Sequence, residues 1–203
     1  MPKTPVSDAV LRQRILDETV NLYYECGLHF TMDQLAKNLG MSKKTIYLVF
    51  PDKEDLLMTM VDYIFDFIRD SKERVIQEDL PLPEKLRQVM GMLTDKYENA
   101  DLAALYELRD RYPTVFTRVA ERLESGWEST IALLEQGVQE GIFRQFQIPI
   151  FKLMMEATLE QFFQRDVLVR NGIPYREALD QVVDILLFGI MAPGPDSETA
   201  EQV

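Results

Sequence analysis

Thr31-Met32-Asp33-Gln34-Leu35-Ala36-Lys37-Asn38-Leu39-Gly40-Met41-Ser42-Lys43-Lys44-Thr45-Ile46-Tyr47-Leu48-Val49-Phe50 is the stretch that decides how this chain is read. Thr31 is a strong N-cap and Gly40 suits the left-handed conformation of a tight C-cap. A short helix therefore opens at Thr31, turns Leu35, Ala36 and Leu39 inward, and stops at Gly40. Ser42 opens a second helix that closes at Phe50-Pro51. Two short helices joined by a brief glycine-bearing turn are the grammar of a helix-turn-helix, whose second helix enters the major groove of DNA. Counting 100° per residue from Ser42 puts Ile46, Val49 and Phe50 on one face, the core side. Lys44 points most nearly opposite, flanked by Tyr47 and Leu48, with Lys43 next on the Tyr47 side and Thr45 at the margin. Together with the free N–H groups of the helix start, that outward face carries donors for phosphates and base edges.

Charge confines any nucleic acid to this window. The formal net charge of the 203 residues is -12, and such a field repels DNA. Up to Asp55 the chain has seven Lys or Arg against eight Asp or Glu, a net of -1, which leaves -11 for the rest. Between Thr31 and Lys53 the balance is positive, from Lys37, Lys43, Lys44 and Lys53 against Asp33 and Asp52. The acidic remainder reads as a solvated surface facing away from DNA.

Outside the window almost every segment has helical periodicity, so an all-α fold is expected. A first helix starts at Ser7 as N-cap, carries Leu11, Ile15, Leu22 and Tyr23 on one stripe and ends at Gly27. From Asp52 a longer helix runs without a breaker to Glu78-Asp79-Leu80-Pro81-Leu82-Pro83. Later helices are expected over 84–98, 102–111, 113–140, 150–169 and 175–191. The reading gives an N-terminal three-helix DNA-binding domain over 1–55, a helical ligand-binding and dimerisation domain over 56–191, and a disordered tail over 192–203.

The run from Gly27 to Ala36, then Leu39 to Tyr47, then Phe50-Pro51-Asp52-Lys53-Glu54-Asp55-Leu56 closely resembles the DNA-binding domain of the tetracycline-repressor (TetR) family of transcriptional regulators. The resemblance implies DNA contacts from Thr31, Ser42, Lys43, Lys44, Thr45, Tyr47 and Lys53. It departs from the common pattern at Leu48 and Val49, where many members are polar; an outward Leu48 suits apolar contact with a thymine C5-methyl. Plainer readings stand beside these: a solvated helix start for the lysine pair, a core-edge aromatic for Tyr47, an ion pair for Lys53, and contact with a neighbouring helix for Leu48. By the same resemblance the chain is a homodimeric repressor, released from double-stranded operator DNA when a small hydrophobic or aromatic effector moves the long fourth helix. A helical binding module with a non-functional helix-turn-helix is the alternative.

The same resemblance implies an effector cavity among the helices from Glu84 to Phe163, where Tyr97, Tyr106, Trp127, Met155 and Phe162 are the expected lining residues by size and by their polar handles. The helices 150–169 and 175–191 carry more apolar surface than one-sided packing can bury, so they are expected to form the dimer as a four-helix bundle. No cofactor or metal is expected: His29 is the single histidine and Cys26 the single cysteine, which removes the usual zinc ligands and any intramolecular disulfide. No membrane span and no catalytic loop or nucleophile elbow is visible, so a cytoplasmic protein that is not an enzyme is expected.

Overall fold

The computed structural model describes residues 8–91 and 102–192. Helix α1 (Asp8–Cys26) leads through a 3-10 turn (Gly27–His29) into α2 (Met32–Leu39), α3 (Lys43–Tyr47) and the long α4 (Lys53–Gln77). There follow α5 (Leu82–Gly91), α6 (Leu102–Arg111), α7 (Pro113–Glu124), α8 (Glu128–Gln139), α9 (Ile148–Gln164), α10 (Val167–Asn171) and α11 (Tyr175–Ile190). Among the described residues there is no strand, only one isolated antiparallel bridge between Phe143 and Met191. The fold is all-α, as expected. Ser7, the expected helical stretch from Met92 to Glu98, and the tail beyond Ala192 lie outside the described residues.

The chain forms two compact units. The first takes the chain up to Phe67 together with α6 and α7 as far as Arg122; the second takes Ile68 onward through α5, and everything from Leu123. The division falls inside α4, twelve residues beyond the expected position, and α6 and α7 group with the N-terminal helices.

In the first unit α1 is the central post. Ile15, Leu16, Val20 and Leu22 are buried, and buried Thr19 returns its hydroxyl to the Ile15 carbonyl at 2.7 Å. Glu18 accepts from Asn38 on α2 at 2.7 Å, and Asp17 accepts from the Tyr63 hydroxyl on α4 at 2.7 Å. Toward the far end of α4, Arg118 on α7 donates to Asp62 at 2.9 Å and Arg122 to Asp66 at 2.7 Å.

In the second unit α5 packs against both α8 and α11. Its Leu86 and Val89 are fully buried, as are Leu134 of α8 and Leu179 of α11. The loop after α8 is tied to the end of α11 by Arg144 N–H to the Ile190 carbonyl at 2.8 Å and Ala192 N–H to the Ile142 carbonyl at 3.0 Å.

Two helices expected as single rods are broken. The segment 113–140 divides because Gly126 takes φ 74°, a left-handed conformation that ends α7 before α8 begins. The segment 150–169 divides at Arg165, which is extended (φ -122°, ψ 144°). No glycine or proline marks this second break. Phe151, Met155, Leu159 and Phe163 form the buried stripe of α9, and in a straight helix Leu168 would lie about 140° away from Phe163. Breaking the helix lets Leu168 enter the core, where it is buried.

Gly137 is a packing requirement: a Cβ there would overlap the Phe143 ring and approach Leu82 Cδ2 to 2.9 Å. We expect Gly137→Ala to destabilise the protein by about 1–3 kcal/mol in urea denaturation, the usual range for overfilling a packed core; an unchanged midpoint would show that the Phe143 loop yields freely.

Candidate nucleic-acid interface

The helix-turn-helix is built from three local devices. Thr31 caps α2 in a full capping box: its hydroxyl accepts from Gln34 N–H at 3.2 Å, and its own N–H donates to Gln34 Oε1 at 2.7 Å. Gly40 ends α2 at φ 63°, with its N–H on the Lys37 carbonyl (3.1 Å) and the next N–H, of Met41, on the Ala36 carbonyl (3.0 Å). These are the two bonds of a Schellman termination, which turns the chain sharply enough for Ser42 to start again. Ser42 then caps α3, accepting from Thr45 N–H at 3.2 Å, with the two hydroxyls 2.9 Å apart.

The inner face of α3 is held firmly. The helix ends at Tyr47, short of the expected close at Phe50-Pro51; Ile46 on it and Phe50 in the turn after it are fully buried, while Val49 is half-buried. Arg12 of α1 lays its guanidinium over the Phe50 ring, 4.5 Å from the centroid, and donates to Thr59 Oγ1 of α4 at 3.2 Å, so three helices meet around that ring. Burial of Ile46 and Phe50 contributes about 1.5–3 kcal/mol each.

The outer face is open. Lys43, Lys44 and Tyr47 are exposed, and Leu48 is 79% exposed, far more than a residue serving the core. Thr31 and Ser42 are exposed as well, and Thr45 is half-buried. Lys43 Nζ lies 2.6 Å from Asp33 Oδ2 on α2, and that hydrogen bond raises the lysine pKa above its ordinary value. Lys44 has no such partner among the described residues.

Lys53 differs from the other expected contacts. Its ammonium turns inward, donating to the carbonyls of Leu28 at 2.7 Å and Phe30 at 2.6 Å, and sits 4.0 Å from the centroid of the Phe30 ring. Burial lowers its pKa, and the charge of Arg111 lowers it further. Two of its three donors are thus engaged within the protein, an arrangement that sequence reasoning missed because the partners are backbone carbonyls. The start of α4 is capped instead by Asp52, whose Oδ1 accepts from Asp55 N–H at 2.8 Å.

The expected effector residues divide. Tyr106 belongs to the first unit and is half-buried; Trp127, Met155 and Phe162 belong to the second; Tyr97 lies outside the described residues. Met155 is buried, Phe162 meets Tyr175 edge-on at 6.2 Å, and Trp127 has the Lys152 ammonium 5.9 Å from its ring centroid. A cleft of about 650 Å³ in the first unit is lined by Met58, Asp62, Pro113, Thr114, Thr117, Arg118 and Glu121, none of them an expected lining residue. Among the described residues no cluster of His, Cys, Asp and Glu could hold a metal ion, and no helix is long and apolar enough to cross a membrane.

The likeness to known proteins falls on this geometry. The tetR family of bacterial regulatory proteins matches residues 15–60, from the middle of α1 to the first turns of α4. The helix-turn-helix transcriptional regulator YvaF of Bacillus subtilis is 27% identical over 181 residues, covering 89% of this chain and 95% of the relative. The fatty acid metabolism regulator protein of the same organism is 24% identical over 182 residues, covering 87% and 94%. Among solved structures, a TetR-family regulator from Cytophaga hutchinsonii superposes with a TM-score of 0.69 at 19% identity, over 95% of this chain and 100% of that one. The regulator FadR from Bacillus subtilis, crystallised with stearoyl-CoA, gives 0.62 at 24%, over 88% and 98%. With its capped helix-turn-helix, its buried inner face and its donor-bearing outer face, the stretch 15–60 is a DNA-binding domain of the tetR family, in a chain similar over nearly its whole length to helix-turn-helix transcriptional regulators.

Proposed function

We propose that this chain represses transcription as a homodimer on an inverted-repeat operator and leaves the DNA when a hydrophobic effector binds. The observation that carries the reading is the contrast across α3: Ile46 and Phe50 fully buried inside, Leu48, Tyr47 and Lys44 exposed outside. An exposed leucine beside a lysine and a tyrosine serves no packing purpose in the protein, and all three suit a groove.

The contacting set is Thr31, Ser42, Lys43, Lys44, Thr45, Tyr47 and Leu48. Thr31 supplies a hydroxyl that accepts from Gln34 N–H, and Ser42 and Thr45, whose hydroxyls bond to each other, keep one O–H between them to donate. Lys43 exchanges Asp33 for phosphate, which costs little because their ion pair is exposed. Lys53, expected among these contacts, commits two of its three ammonium donors to backbone carbonyls and stands outside the set.

Dimerisation is assigned to α9 and α11. On α9, Ile150, Leu153, Met154 and Ala157 are exposed at i, i+3, i+4 and i+7, a second apolar stripe beside the buried one. On α11, Ile185 and Phe188 are 69% and 77% exposed. A second copy of the chain is the occupant that two-fold symmetry and a four-helix bundle supply. The proposed effector is hydrophobic, supported by the stearoyl-CoA held by the Bacillus subtilis regulator, with Trp127, Met155 and Phe162 as lining residues of the second unit. It acts only through different affinities for the DNA-bound and released arrangements.

Selection from a random duplex pool, with and without stearoyl-CoA, tests the reading. An inverted repeat should be enriched, and enriched less when the thioester is present. No enriched sequence would leave a helical binding module. On the enriched site Lys44→Ala should weaken binding by about 1–3 kcal/mol. Leu48→Ala should lose about 1 kcal/mol on a thymine-bearing half-site and almost nothing when uracil replaces that thymine; equal losses on both would remove the methyl contact.

The dimer has its own test, because Phe188 lies outside the core. Phe188→Glu should give a folded monomer by light scattering and circular dichroism, with operator affinity lost. A persistent dimer that still binds DNA would move the interface elsewhere.

A further inference from the structure

Lys53 stands where a lysine is electrostatically unwelcome. It is the first residue of α4, a 25-residue helix, and a cation at a helix N-terminus opposes the helix dipole. Glu54 and Asp55 in the same turn are the residues that position favours. The half-buried ammonium is turned onto two carbonyls and an aromatic face, and Leu28 and Phe30, which supply them, are each only 1% exposed. Phe30 directly precedes Thr31, the cap that opens the helix-turn-helix. A single side chain from α4 therefore grips the backbone where α2 begins.

The end of α6 surrounds the same ammonium with charge. Glu107 pairs with Arg111 at 2.5 Å and lies 3.5 Å from His29 Nε2, in the very turn that Lys53 holds. Lys53 feels Arg111 as a repulsion and Glu107 as an attraction. Three elements converge here: the start of α4, the 3-10 turn and the end of α6, all within the first unit.

We propose that Lys53 is a positioning residue, an ammonium clamp that fixes the helix-turn-helix on α4, and that its contribution to DNA binding is made without a phosphate contact. The proposal rests on the DNA-binding reading for its affinity readout, but the clamp itself is a property of the free protein. A phosphate contact and a clamp differ in what they do to salt dependence. Losing a phosphate contact lowers the slope of log K against log[salt] by about 1, whereas loosening the reading head lowers affinity at every salt concentration and leaves the slope in place.

Two measurements decide it. In the wild-type protein without DNA, limited acetylation followed by mass spectrometry should modify Lys53 at least tenfold more slowly than Lys44, because acylation requires the amine to leave both carbonyls and face the reagent, a restriction that outweighs its lowered pKa. Equal rates would overturn the clamp. On the duplex enriched from the random pool, Lys53→Met should bind at least tenfold more weakly at a temperature where circular dichroism shows it folded, with the salt slope of wild type. A slope reduced by about 1, or an unchanged affinity, would overturn the proposal. Should Lys53→Met fail to fold, the acetylation rates decide. Should no duplex be enriched, those rates still read the clamp while the DNA-binding reading falls.

Discussion

The buried side of α3 governs everything on its exposed side. Ile46 and Phe50 are fully enclosed, and the Arg12 guanidinium closes over Phe50 while bonding to α4. Ile46 lies on α3 and its carbonyl accepts from the N–H groups of Val49 and Phe50 in the following turn, so seating these two residues also fixes where Lys44, Tyr47 and Leu48 point. A five-residue helix has little stability of its own. Its orientation comes from that seat, from the Schellman turn at Gly40 and from the Ser42 cap.

An acidic protein that binds DNA has to concentrate its attraction. The window from Thr31 to Lys53 is formally positive, yet the structure reduces what is available there. Lys43 is paired with Asp33 and Lys53 is turned inward, so Lys44 is the uncommitted cation of the α3 face. Binding through such a face depends on hydrogen bonds from capping hydroxyls and Tyr47 and on apolar contact from Leu48 more than on counterion release.

Much of this was legible in the sequence because it is local. A cap, a left-handed glycine and the phase of a helical wheel involve neighbours in the chain, and Thr31, Gly40, Ser42 and the Ile46-Phe50 face all appear where local rules put them. What escaped is long-range. Lys53 reaches carbonyls 25 and 23 residues earlier, which no pattern in its own helix announces. The break between α9 and α10 answers to where Leu168 must be buried, a demand set by the surrounding core. The Ser125-Gly126 break between α7 and α8 did carry a signal, since a Ser-Gly pair marks turns, but an apolar periodicity continuing on both sides masked it. The expected effector residues share a chemical type, and chemical type does not place side chains in space: Tyr106 lies in one unit and Trp127, Met155 and Phe162 in the other.

The central claim is that the outward face of α3 reads a major groove, twice, in a symmetric dimer. Hydroxyl-radical footprinting of the wild-type protein on its enriched duplex tests this directly. Two equivalent protected patches are expected on one face of the DNA, related by the dyad of the repeat and separated by about 10 base pairs or a multiple of that spacing. A single asymmetric patch, or protection spread evenly along both strands, would contradict it.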